Sequence, residues 1–224
     1  MKKILLAIIT LLILLGTNSC SQKSAAWSPL FGEDYSQAIY EDGSWEVKDD
    51  LLVALEDKVV WAPGEYENFR LELEFKNEAG TNSGIIVYCT DTADWIPNSV
   101  EIQIADDHSE KWGTARLDYQ CGAIFGHLPA GEQKVVNEPG EWNKLKISCK
   151  GQLIEVVLNG QMVTSMDMAE WTSGTTNPDG SEIPEWLPKP FAELPTKGSI
   201  GFQGKHGDSS ITFKNVRISK SVFN

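Results

Sequence analysis

The groups best suited to proton transfer in this chain fall in two short runs that lie far apart in the sequence. The first reads Val100-Glu101-Ile102-Gln103-Ile104-Ala105-Asp106-Asp107-His108. On an extended strand successive side chains point to opposite faces, so Glu101 and Gln103 share one face while Val100, Ile102 and Ile104 take the other. A carboxylate on a polar strand face can serve as a general base, and a neighbouring amide can hydrogen-bond hydroxyl groups. The spacing alone describes a solvated strand face equally well. The second run is Gly201-Phe202-Gln203-Gly204-Lys205-His206-Gly207. Its glycines permit close backbone approach, Gln203 supplies an amide, and Lys205 or His206 could stabilise a developing oxyanion. The chain has only three histidines; His108 and His127 sit beside motif segments and join Asp107 as candidate contacts to a bound molecule. Asp106, Asp107 and His108 read alternatively as a turn that caps the strand. A divalent ion held by Glu101 with a histidine would do the oxyanion's work, but no H-x-x-x-H spacing supports one, so a metal stays unassigned.

Such groups need elements to hold them, and the elements read as strands. Phe69–Phe75 alternates strictly, with Leu71, Leu73 and Phe75 on one face and Arg70, Glu72 and Glu74 on the other, which predicts a half-buried antiparallel strand. Gly84–Cys89 is a β-branched run suited to burial on both faces. Ser44–Lys48 and Leu51–Leu55 flank an Asp-Asp turn, and Leu145–Ser148 and Leu153–Leu158 flank Lys150-Gly151-Gln152. Asn159-Gly160 supplies the positive φ values of a type I′ hairpin turn leading into Met162–Met166. Ile211–Ile218 closes the series. No helix longer than two turns is expected. Many short antiparallel strands without helices predict an all-β fold, a two-sheet antiparallel jelly-roll sandwich. The Pro-, Gly- and Asp-rich segment Ala169–Thr196 reads as an ordered functional loop. It carries Trp171 and Trp186, which are expected to reach the binding face. Trp61, Tyr66, Trp95 and Trp112 are further aromatic candidates, whereas Trp45 and Trp142 read as core.

The N-terminus reads as an address. Lys2 and Lys3 precede an apolar run, Ile4–Leu15, whose length of about a dozen residues suits a signal peptide and is short for a membrane span. Gly16-Thr17-Asn18-Ser19-Cys20 then resembles a lipoprotein cleavage box, with Cys20 the lipidated residue. The expected organisation is a signal peptide over 1–19, a lipidated tether over 20–29 and one domain over 30–219, exported and lipid-anchored to the cell envelope. The net charge of −13 repels phosphate backbones and argues against nucleic acid as a partner. With Cys20 lipidated, Cys89, Cys121 and Cys149 form an odd set that allows buried thiols or one bridge.

Several runs in order resemble the 3-keto-disaccharide hydrolase family. They are Ser44–Ala54, Tyr66–Phe75, Asn82–Val87, Val100–His108, Cys121–Gly126, Gly140–Asn143, Val157–Gly160, Leu194–Gly207 and Phe213–Ile218. The resemblance spans about residues 30–219 and departs at Cys121, where the family often has Thr. It implies a concanavalin A-like jelly roll and a carbohydrate substrate: a glycoside already oxidised to a ketone at sugar C3. The ketone acidifies the C2 proton; a base removes it, an enediolate forms, the C1 substituent is eliminated, and water can then add. On this reading Glu101 is the base, His206 and Lys205 complete the catalytic set, and Gln103, Gln203, Asp107, His108, His127, Trp171 and Trp186 contact sugar. The run Glu101–Asp106 also resembles the E-I-D-I-x-E pattern of ordinary jelly-roll glycosidases, with Gln103 in place of the central Asp. This leaves open a retaining glycosidase using Glu101 and Asp106, or a binding module that lacks catalysis.

Overall fold

The structure is a computed structural model that describes residues 26–131 and 134–220. The expected signal peptide and Cys20 lie outside the described residues. Twelve strands are found among those described: β1 Ser28–Pro29, β2 Trp45–Lys48, β3 Leu51–Ala54, β4 Val60–Trp61, β5 Phe69–Asn77, β6 Asn82–Cys89, β7 Val100–Ala105, β8 Trp142–Lys150, β9 Leu153–Leu158, β10 Gln161–Asp167, β11 Ser199–Phe202 and β12 Ile211–Lys220. One α-helical turn, Glu110–Gly113, and a few 3₁₀ turns complete the regular structure. The expected tether is shorter than predicted, because Ser28 and Pro29 already pair with Ile218 and Arg217.

The strands form two antiparallel sheets, a jelly-roll sandwich. The larger runs β10-β9-β8-β5-β12-β3-β2, with β1 also on β12; the smaller runs β4-β11-β6-β7. The alternation read from the sequence sets the faces. Leu71, Leu73 and Phe75 are buried while Arg70 is exposed and Glu72 and Glu74 are half-buried. Opposite them, Ile85, Val87, Val100, Ile102, Ile104, Ile200 and Phe202 project inward from the smaller sheet. Phe202 joins the layers, with its ring 5.2 Å from Phe31 and 4.9 Å from Phe213. Each such side chain contributes roughly 1.5–3 kcal/mol by leaving water, so the two apolar faces hold the sandwich together.

The tight connections follow from residue type. Asn159 and Gly160 have φ of 49° and 87°, and Asp49 and Asp50 have 52° and 60°. Short polar side chains and glycine tolerate this left-handed region, and the paired positive values match the twist of a two-residue hairpin. Trp142 departs from expectation. It lies half-buried on the outer face of the larger sheet, with the ammonium groups of Lys214 and Lys76 at 3.9 and 5.3 Å from its ring. Trp45 is buried, as expected. The three described cysteines are buried and free.

Candidate functional site

The site is built on the outer face of the smaller sheet. β7 keeps its register, so Val100, Ile102 and Ile104 enter the core and Glu101 and Gln103 emerge on the other side. Gly84 of β6 lies opposite Gln103, and Ile86 opposite Glu101. The Glu101 carboxylate leans over Gly84: a Cβ built there would stand 2.1 Å from Oε1, 2.7 Å from Cγ and 2.8 Å from Cδ. Glycine at 84 is therefore what lets this carboxylate lie flat against the sheet. Across β6, the Gln203 amide N–H donates to the Gly84 carbonyl at 2.9 Å, which sets Gln203 beside the same glycine. Gln103 completes the group and is fixed by donating from Nε2 to Asn82 Oδ1 at 2.7 Å. One row above, the Trp61 ring lies over Gly201, where a Cβ would meet ring carbons at 2.6 Å. Glu101, Gln103, Gln203 and Trp61 thus surround a floor of two glycines.

An extra edge extends this floor. Residues 121–125 run beside β7: the Gln103 N–H donates to the Ala123 carbonyl at 2.9 Å, the Gly122 N–H to the Gln103 carbonyl at 2.8 Å, and the Phe125 N–H to the Glu101 carbonyl at 3.0 Å. Phe125 therefore flanks Glu101. Its ring stacks on Tyr119 at 4.7 Å, and the Arg116 guanidinium lies 5.2 Å from the Tyr119 ring centre.

This setting changes the chemistry of Glu101. No described residue donates a hydrogen bond to its half-buried carboxylate, and Ile86 and Phe125 are the backbone neighbours of Glu101 on either side. Desolvation pushes its pKa up to about 8. A carboxyl group in such surroundings is a far stronger base than a solvated one. Structural carboxylates look different. Asp106 lies on the strand's opposite side and is buried, with Oδ2 accepting from the Gly80 N–H at 2.7 Å and Oδ1 from the His108 N–H at 3.1 Å. Both oxygens are occupied as turn caps, so Asp106 cannot partner Glu101 as a second catalytic carboxylate.

Other sequence candidates are placed elsewhere. Asp107 is buried and accepts the Cys121 N–H at 3.0 and 3.2 Å; burial raises its pKa to about 6. It holds the 121–125 edge rather than facing ligand. His108 is spent on the Val136 carbonyl at 3.0 Å and Glu138 at 3.3 Å. His127 is buried, stacked on Phe191 at 3.8 Å, with Nδ1 bonded to the Phe125 carbonyl at 2.8 Å; burial lowers its pKa to about 4. Trp171 is buried, and its Nε1–H donates to Asn177 Oδ1 at 2.9 Å, so it packs the long loop and offers no stacking surface. Trp186 is exposed. The Ala169–Thr196 loop is ordered and packs on the 116–127 segment, with Arg116 donating to the Glu182 carbonyl at 2.8 Å and Asn177 to the Gly126 carbonyl at 3.4 Å. It buttresses the extra edge. Tyr66 and Trp112 are buried, whereas Trp95 is half-buried.

His206 and Lys205 follow Gln203 at the end of β11. The His206 N–H donates to the Asn82 carbonyl at 3.1 Å and the Lys205 N–H to the Glu56 carbonyl at 3.2 Å. The His206 backbone is thus one strand across and two residues along from Gly84, about 8 Å at ordinary strand spacings. Two features escaped the sequence: the 121–125 edge, which lacks alternation, and Asp57, whose Oδ2 meets His206 Nδ1 at 2.7 Å. Among the described residues no three His, Cys, Asp or Glu side chains converge as metal ligands. A recess of about 770 Å³ lies instead on the larger sheet, lined by Trp27, Tyr35, Glu72, Lys146 and Arg217. Its charges are largely paired with one another, and it holds no unpaired acid or base comparable to Glu101.

The protein is thus a jelly-roll sandwich with a desolvated carboxylate on one sheet face. The chain belongs to the family described as the 3-keto-alpha-glucoside-1,2-lyase-like domain, which it matches over residues 26–219. It is similar to a solved protein of Parabacteroides distasonis provisionally assigned to the glycosyl hydrolases, with 61% identity, a TM-score of 0.86, and coverage of 88% of this chain and 100% of that one. A second such protein of the same organism shares 25% identity at a TM-score of 0.67, over 87% of this chain and 94% of that one. A carbohydrate-binding module of Bacillus subtilis, at 12% identity and a TM-score of 0.51 over 81% of this chain and 94% of that one, shares the fold. No curated protein matches the chain.

Proposed function

We propose that this protein is an enzyme that cleaves 3-keto-glycosides by removing the C2 proton and eliminating the C1 substituent. One observation carries the reading: the Glu101 carboxylate lies unpaired over Gly84 with its pKa raised to about 8. A carbon acid beside a ketone needs a single strong base, not a pair of carboxylates. Glu101 takes the C2 proton, and the electron pair moves onto the C3 oxygen. The ammonium of Lys205 stabilises that oxygen. The C1–O bond then breaks as the C1–C2 double bond forms, and the departing oxygen takes a proton. Addition of water across the double bond gives the free keto sugar. Gln103 and Gln203 orient hydroxyls, and Trp61 offers a ring face to the sugar.

A retaining glycosidase needs a second carboxylate within about 5.5 Å, and Asp106 is withdrawn into its turn. The test is turnover of a 3-keto-glucoside beside the parent glucoside. The enzyme should cleave only the oxidised substrate, and Glu101→Gln should lose roughly 10²–10⁴ in rate while still binding it. Cleavage of the parent glucoside through a covalent intermediate would support the glycosidase. Binding without turnover of either would leave a binding module. The N-terminal pattern supports export and a lipid anchor at Cys20, and Cys20→Ser should then leave the membrane fraction.

A further inference from the structure

We infer that Asp57 and His206 form a proton-transfer dyad at the open end of the Glu101 face, in which Asp57 positions His206 to protonate the departing C1 oxygen. This rests on the elimination reading above and assigns the one proton that reading leaves without a donor. The geometry is that of an oriented imidazole. Asp57 Oδ2 lies 2.7 Å from Nδ1, so Nδ1–H is the bonded donor and Nε2 is the nitrogen left to exchange a proton. No described residue bonds Nε2, and the side chain is 56% exposed, so a ligand can reach it. The backbone is pinned by the Asn82 carbonyl on one side, while the Glu56 carbonyl fixes Lys205 on the other. The ring is therefore tethered at both its nitrogen and its main chain. The four remaining polar neighbours in sequence differ in kind. Lys205 carries a point charge suited to the C3 oxygen, Lys58 is paired with Glu41 at 3.0 Å, and the carboxylates of Glu56 and Asp208 cannot donate a proton once ionised.

The step balances without a co-reactant. Glu101 gains the C2 proton, the C1–O bond breaks, and protonated His206 gives its Nε2 proton to the leaving oxygen. The product is the unsaturated keto sugar plus an alcohol. Glu101 then returns its proton to solvent, and His206 takes one back. Asp57 touches neither substrate nor reacting atoms, so it is a positioning residue.

An acid for the leaving group matters only when the leaving group is poor, which separates this role from structural support. The 3-keto derivatives of methyl and 4-nitrophenyl glucoside are the probes. Both His206→Ala and Asp57→Asn should slow cleavage of the methyl glycoside, by about 10²-fold or more and about 10-fold or more respectively. Either variant should slow the nitrophenyl glycoside much less than the methyl glycoside, since that group departs without protonation. Asp57→Asn should cost nothing further in a His206→Ala background, because the two act as a unit. Equal losses on both leaving groups, multiplicative losses in the double variant, or wild-type rates in Asp57→Asn would each overturn the dyad. If the wild-type protein cleaves neither 3-keto glycoside, the elimination reading fails. The dyad then stands or falls on the ¹⁵N spectrum of the imidazole. Wild-type His206, when neutral, should hold its proton on Nδ1, and Asp57→Ala should shift it toward Nε2. An unchanged tautomer would overturn the pairing.

Discussion

Replacing Gly84 by Ala should disable the enzyme while leaving it folded. The added methyl would stand 2.1 Å from Glu101 Oε1 and under 3 Å from Cγ and Cδ. Ordinary carbon–oxygen contact requires the carboxylate to retreat by about 1 Å or more, and a misplacement of that size costs on the order of 10²-fold in rate. The backbone has no reason to move. Every close atom belongs to the end of a flexible side chain, and Gly84 is absent from the residues with positive φ. Alanine in a strand is also better than glycine by roughly 0.5–1 kcal/mol, so the stability change should stay within about 1 kcal/mol. The measurement is a thermal melt beside single-turnover rates on a 3-keto-glucoside for Gly84→Ala, Glu101→Gln and the double variant. The double variant should be no slower than Glu101→Gln. Near-wild-type turnover in Gly84→Ala would refute the idea that this carboxylate acts from its place above the glycine.

Three further outcomes follow from the same packing. The raised pKa of Glu101 means that the folded protein holds its proton more tightly than the unfolded chain does. Stability should be greatest below the ordinary value of 4.5 and fall as pH rises through about 8. Glu101→Gln should be indistinguishable near pH 4 and more stable above pH 8, by at most about 5 kcal/mol and less where solvent screens the half-buried group; parallel pH-dependent melts decide it. His127 behaves oppositely: burial lowers its pKa to about 4 from 6.5, so the stability it allows is present above pH 6.5 and is lost as pH falls through 4. His127→Phe should flatten that part of the acid-unfolding profile. Trp171→Ala should cost about 3–5 kcal/mol, whereas Trp186→Ala, on an exposed side chain, should change stability by no more than about 0.5 kcal/mol; urea titration separates them.

The fold was legible because its strands carry their faces in their alternation. Phe69–Phe75 and Val100–Ile104 place every side chain where a period of two demands, and Asn159-Gly160 announces its turn. The site was legible in part. Glu101 and Gln103 share the outer face of the smaller sheet because both lie on odd positions of β7, and Gln203, just past the end of β11, comes beside Gly84 through its backbone N–H. Asp106 lies five residues after Glu101, and five is odd, so its withdrawal to the other side was readable from parity alone. Asp107, His108 and Trp171 were not readable in this way. Their partners, the Cys121 amide, the Val136 carbonyl and Asn177, are fixed by loops that have no period. Asp57 lay hidden for the same reason, since a short turn between two brief strands says nothing about which histidine it will meet.

The glycines set the two outer faces of this sandwich apart. The larger sheet carries long charged side chains on its outer face, and they neutralise one another: Glu72 with Arg217 and Lys146, and Glu74 with Lys214. Such pairs are screened, and Arg217 and Lys146 hold the Glu72 pKa below its ordinary value, even against its own desolvation. The smaller sheet has instead Gly84 and Gly201 in its two central strands. With no side chains there, a carboxylate from the neighbouring strand and an indole from the far edge lie down on the backbone, and no described cation pairs with that carboxylate. A carboxylate placed beside a lysine ladder would be a weak base. Laid over bare backbone beside Ile86 and Phe125, the same group has its pKa raised to about 8. On the proposed elimination the two glycines would belong to the machinery as much as Glu101 does, since they set the depth at which its carboxylate sits.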